Sequence, residues 1–176
     1  MNGYNWSIAG SGLEKMFYGQ ILCLLTIIPL VGWIAGIAGL ILFLVGLYQA
    51  AGADEGYRTA FYVEVAALVL SVLAVFIGVL DILISILNLV LVYLVCTTTA
   101  NLLMARGDPA TAQRGMLVWK VNLVCMVVSV VCSILSIIPL VNLMALVVLI
   151  PTAIAGLVGG ILYLMFLYRA SNSLKY

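Results

Sequence analysis

The chain has 176 residues, of which 66% are apolar, with seven Lys or Arg against six Asp or Glu. Soluble domains average about 45–50% apolar and about 25% charged residues, so this composition cannot clothe a water-facing surface, which excludes a soluble enzyme, a disordered chain and a secreted disulfide scaffold. A net charge of +1 gives no basic field for nucleic acid, and the absence of His removes the commonest general base and metal ligand.

Taken in chain order, Asn2 to Gly12 reads as a small cytoplasmic lead-in, with Trp6 and Ile8 resting on the headgroups. No cationic stretch followed by a short apolar run and a cleavage site opens the chain, so the first helix is expected to serve as its own insertion signal. Met16 to Ala53 holds 38 residues without a charge, Ile82 to Ala105 holds 24, and Val121 to Tyr168 holds 48. A spanning helix needs about 20 apolar residues to cross a core of about 30 Å. The last run would be about 72 Å long as one helix, so it must turn back, and Pro139 with Asn142 marks the place. The first run folds at Pro29 to Gly32 and the middle one near Gly78 to Asp81. The expectation is an all-α polytopic membrane protein: six transmembrane helices in one integral domain, arranged as hairpins over 13–51, 56–106 and 109–171. Leu140 to Ile150 forms either part of a span or a half-helix before Pro151.

This count puts Lys15, Arg58, Arg106, Arg114, Lys120, Arg169 and Lys175 on one side, with Asp81 as the sole charge on the other. Lys and Arg near the ends of short loops stay inside, so both termini are expected in the cytoplasm. Tyr18, Tyr48, Tyr57, Tyr62, Trp119 and Tyr168 cluster at the inner boundary, and Trp33 marks the outer one. Asp54 and Asp108 are placed to cap the helices that follow, Pro109 suits a first turn, and Asp81 would cap the fourth helix. Arg58 and Arg114 fall in entering turns, where they are placed to meet lipid phosphate.

The hairpins are related. Ala35-Gly36-x-x-Gly39-x-Ile41-Leu42, continuing through Leu47-Tyr48-x-Ala50, recurs as Ala155-Gly156-x-x-Gly159-x-Ile161-Leu162 through Leu167-Tyr168-x-Ala170. Ile27-Ile28-Pro29-Leu30-Val31 recurs as Ile137-Ile138-Pro139-Leu140-Val141, and Leu102 to Ala105 is a weaker middle copy. Nine residues separate Gln20 from Pro29 but nineteen separate Lys120 from Pro139, so the first hairpin is expected to be shallow beside a longer third.

The ascending helices align as well, Phe17-Tyr18-Gly19-Gln20-Ile21 with Phe61-Tyr62-Val63-Glu64-Val65 and more loosely Leu117-Val118-Trp119-Lys120-Val121, which puts Gln20, Glu64 and Lys120 at one depth. Ionisable groups in a bilayer pair or face a polar cavity, so a cytoplasmic-side cavity is expected around Gln20, Glu64, Lys120, Thr98 and Asn101, with a Glu64–Lys120 ion pair. Asn88, Asn101, Asn122 and Asn142, with Thr97 to Thr99, are expected to hydrogen-bond between helices. Gly32, Gly36 and Gly39, and Gly156, Gly159 and Gly160, form stripes for close helix packing within the chain or between copies. Cys23, Cys96, Cys125 and Cys132 include no C-x-x-C and read as single buried thiols.

The Ile-Pro-Leu-Val-Gly-Trp-Ile turn and the Gly-spaced helix after it, ending in Leu-Tyr, resemble bacterial membrane families known as domains of unknown function. That resemblance implies no activity; the expected location is the inner membrane. The expectation is a non-enzymatic scaffold or accessory component without a cofactor or metal, in contact with the lipid bilayer, a membrane partner or a second copy. A transporter or channel using the polar cavity is the alternative.

Overall fold

The computed structural model describes residues 5–27, 31–74, 76, 80–135 and 142–175, and the described residues form helices joined by short turns. In order these are α1 (Trp6–Leu24) with a 3-10 turn at Leu25–Ile27, α2 (Val31–Ala50), α3 (Glu55–Ala74), α4 (Leu80–Arg106), α5 (Pro109–Leu135) and α6 (Asn142–Lys175). Among the described residues four stretches are long and apolar enough to cross a membrane: Gly32–Ala50, Glu55–Ala74, Ile82–Arg106 and Ile154–Lys175. The chain is therefore all-helical and of membrane type. The three expected reversals, at Pro29–Gly32, Gly78–Asp81 and Pro139–Asn142, lie largely outside the described residues, as does the side chain of Asp81.

Two boundaries differ from the sequence reading. Residues 6–12 are not a surface lead-in but the first turns of α1. Ala9, Gly10 and Gly12 are buried there, and Trp6 packs against the core, because small uncharged residues let these turns dock closely. Likewise Pro151 does not break the last helix, which runs unbroken from Asn142 to Lys175, so Leu140–Ile150 is no separate half-helix. Proline inside a helix is tolerated where neighbouring groups re-satisfy the freed carbonyl.

Each helix packs on the next, and α6 returns to α1, so the six close into a ring with α4 also touching α6. The core sits in the half of the ring that carries both ends of the described chain. Leu13, Met16, Leu47, Tyr57, Val95, Cys96, Thr99, Leu103, Leu167 and Leu174 are fully buried there.

The tightest seam joins α1 to α2. A methyl at Gly12 would stand 2.6 Å from the Gly46 carbonyl oxygen, and one at Gly46 would stand 2.6 Å from that of Gly12. Gly19 and Gly39 repeat this reciprocal contact at 2.7 and 2.6 Å, and a methyl at Gly32 would meet the Thr26 carbonyl oxygen at 2.6 Å. Each seven-residue step up α1, through 12, 19 and 26, is matched by one down α2, through 46, 39 and 32. A seven-residue step returns to nearly the same helix face. The backbones thus touch along the whole seam, which is how helices associate where water does not drive them together.

The turn between α4 and α5 is equally specific. Gly107 takes φ +94°, its N–H bonds the Met104 carbonyl at 3.1 Å, and the Asp108 N–H bonds that of Leu103 at 2.9 Å, a glycine C-cap. Asp108 then caps α5, accepting from the Thr111 N–H at 3.0 Å and from the Ser173 hydroxyl of α6 at 2.8 Å. Asp54 does the same for α3 through the Gly56 N–H at 2.7 Å. The next two residues of α6 complete the closure. Arg106 donates to the Leu174 carbonyl, where a cation also offsets the helix dipole, and Lys175 pairs with Glu14 of α1.

Two outcomes follow from this packing. Gly46→Val should destabilise the protein by about 1–3 kcal/mol, since a side chain there overpacks against backbone; Gly160→Val should leave the thermal midpoint in detergent unchanged, because a methyl at Gly160 meets nothing within 4 Å among the described residues. Thr111, Ser173 and Arg114 hold the Asp108 carboxyl below the usual carboxylate range. A depressed folded pKa means that its contribution is complete above the unfolded value of about 4 and fades as pH falls through the folded value. Thermal melts between pH 7 and 3 should therefore show an acid loss that is smaller in Asp108→Asn.

Candidate functional site

An aromatic level crosses the ring. Phe17 lies 5.4 Å from the rings of both Tyr18 and Tyr168, Tyr48 lies 5.7 Å from Phe61, Phe61 lies 6.0 Å from Tyr62, and Tyr93 lies 4.8 Å from Trp119. Tyr18, Tyr48, Tyr62 and Tyr168 are exposed, as a girdle at a bilayer boundary requires. Tyr57, expected among them, is instead fully buried and shares a 2.6 Å hydrogen bond with Thr99.

Glu64 lies two helical turns beyond Tyr57 and is 8% exposed, with Oε2 in no hydrogen bond. It stands within electrostatic reach of Cys23 on α1 and of Tyr163 on α6, so the carboxylate faces the inside of the ring. Tyr163 is buried too, its hydroxyl also lacks a hydrogen bond, and it lies within electrostatic reach of Cys96 and Tyr57. The ring interior therefore holds a polar centre of Glu64, Tyr163 and Cys96, with the Tyr57–Thr99 pair beside it.

This centre overlaps the expected cavity only at Glu64. Lys120 and Asn101 are exposed and Gln20 is half-buried. Among the described residues the ion pair is Lys175–Glu14, and Glu64 and Lys120 do not form one. The reason is angular: equal depth along two helices does not set which way each side chain points, and α5 turns Lys120 outward. Thr98 is buried, but against Gly56, where an added methyl would stand 2.1 Å from its Oγ1. Gly56 is eight residues before Glu64, about 12 Å along α3.

Most span polar groups bond to their own helix. Thr97 donates to the Tyr93 carbonyl at 2.6 Å, Asn122 to that of Val118 at 3.0 Å and Ser71 to that of Ala67 at 2.8 Å. Thr99 is the one from the expected interhelical set seen to bond across helices among the described residues. Cys23, Cys96 and Cys125 are free thiols, and no cluster of metal-ligating side chains occurs among the described residues.

The glycine stripes divide. Gly32 and Gly39 are packed as expected and a methyl added at Gly36 would stand 2.9 Å from that of Thr26, but one at Gly156 or Gly160 would meet nothing within 4 Å among the described residues, and one at Gly159 would make only ordinary contact with Asn122. The cause is a difference in height. With Phe17 opposite Tyr168, Leu24 at the end of α1 comes level with Ile161, so Gly156 stands above α1 and its 3-10 turn, while Gly160, level with Leu25, is exposed on another face.

No family model, no curated protein and no solved structure matches this sequence.

Two substitution series test the centre. Tyr57→Phe should cost about 1–2 kcal/mol by removing a buried interhelical hydrogen bond. Glu64→Gln and Lys120→Met should have additive effects on detergent stability, within about 0.5 kcal/mol, since the two side chains do not meet; coupling beyond that would place them in contact.

Proposed function

We propose that this chain is a six-pass, non-enzymatic scaffold or accessory component of the bacterial inner membrane, made of three related hairpins with both termini cytoplasmic. The gathering of Lys and Arg toward one end of the helices supports the orientation. The observation that carries the reading is the uncovered Gly156-x-x-x-Gly160 face of α6, flanked by exposed Ile154, Leu157, Val158 and Ile161. Glycines four apart let another helix approach its backbone, and in lipid that closeness is what stabilises association. The partner is a transmembrane helix of a second copy or of another membrane protein. A photo-crosslinking residue at Leu157, introduced in cells, should give a protein adduct that Gly160→Leu abolishes. Adducts with lipid alone would refute the reading.

The second reading, an ion or proton carrier, is favoured by the unpartnered Glu64 Oε2 and Tyr163 hydroxyl. A carboxylate inside a membrane protein costs about 2.5–3.5 kcal/mol at the centre and usually marks a functional position. Proton or sodium flux into proteoliposomes, present in the native protein and lost in Glu64→Gln, would favour it over the scaffold.

A further inference from the structure

Of the cations at the closed end of the ring, two are consumed by its closure: Arg106 on the Leu174 carbonyl and Lys175 on Glu14. Arg114 and Arg169 are exposed, form no ion pair among the described residues, and come from different helices to line one groove of about 300 Å³ between α5 and α6. Asp108 lies within electrostatic reach of Arg114, but its oxygens already accept from Thr111 and Ser173. Arg114 thus has in reach a carboxylate that is already engaged, Arg169 forms no ion pair among the described residues, and the groove keeps an unmatched positive charge.

The groove is polar at one end and apolar at the other. Thr111, Arg114 and Arg169 lie at the headward end; Leu117, Leu162 and Met165 lie along the rest. A methyl at Gly115 would stand 2.5 Å from the ring of Phe166, which lines the groove, so glycine lets α6 settle this close to α5. Tyr168 adjoins Arg169, and Trp119 lies five residues beyond Arg114, which puts both guanidiniums at or just outside the aromatic level, where headgroup phosphates sit. Past the groove, exposed Val124 and Ile161 continue as apolar surface deeper into the bilayer.

We propose that this α5–α6 groove is a binding site for an anionic glycerophospholipid, with Arg114 and Arg169 on its phosphate and an acyl chain along Leu117, Leu162 and Met165. Guanidinium forks match phosphate oxygens in geometry as well as charge. The groove between α2 and α3, lined by Tyr48, Gln49, Arg58 and Tyr62, is similar in size but offers a single arginine, and serves as the internal control.

The test is native mass spectrometry of the full chain, delipidated in detergent and mixed with phosphatidylglycerol or phosphatidylcholine. Phosphatidylglycerol should be retained preferentially. Arg114→Gln and Arg169→Gln should each weaken its retention about five-fold and the double variant about thirty-fold, while Arg58→Gln should not change it. Arg114→Lys with Arg169→Lys should keep much of the preference, because charge survives where the fork does not; this pair also reports if the glutamine double variant fails to fold. Equal retention of the two lipids, or retention indifferent to both arginines, overturns the proposal. So does equal competition by soluble glycerophosphoglycerol, which would make the site one for free phosphate anions rather than for lipid.

Discussion

The contact on which the rest depends is backbone against backbone between α1 and α2. Gly12 meets Gly46 and Gly19 meets Gly39 through reciprocal approaches that leave no room for a methyl. In lipid the apolar side chains of a helix gain little by leaving one hydrocarbon surface for another, so association relies on dispersion over closely matched surfaces. The seam makes α1 and α2 a rigid pair. On its two flanks α6 and α3 are laid down, and α4 and α5 fill the remaining arc.

The ring is closed mainly at one end. There the polar contacts gather: the glycine cap at Gly107, Asp108 between α5 and α6, Arg106 on the end of α6 and the Glu14–Lys175 pair. Exposed pairs of this kind contribute little individually. Their value lies in direction, since three consecutive residues, Ser173, Leu174 and Lys175, reach the α5 cap, α4 and α1 and so fix the rotation of α6. Toward the other end α1 stops early, and the upper part of α6 stands without it.

Much of this was legible in the sequence, and what was not has a common cause. Charge-free runs, the Asp54 and Asp108 caps and Pro109 at the start of α5 are local signals and correspond to the structure. The seven-residue glycine spacings of 12 and 19 and of 32, 39 and 46 are equally local, but four-residue spacing points to Gly156 and Gly160 as readily as to Gly32 and Gly36. Those two share the motif of the packed helix and lack its neighbour, because packing depends on relative heights that a motif does not encode. Glu64 was legible as a buried carboxylate; its companions were not. Tyr163 and Tyr57 are ordinary boundary aromatics by type, and only the rotation of α3 and α6 turns them inward. Lys120 fails for the same reason in reverse.

The seating of α6 against α1 also orders events during synthesis. Gly10 sits under the Ser171 carbonyl and Lys175, so α1 keeps one face open until α6 has emerged. The α1–α2 pair can form as soon as its own hairpin is inserted, and α3 to α5 can be added one neighbour at a time. The ring itself closes in a single late step, and until then the buried carboxylate of Glu64 lies beside an unfilled gap. Until α6 is in place, the backbone at Gly10 stays uncovered on the side that Ser171 and Lys175 later fill.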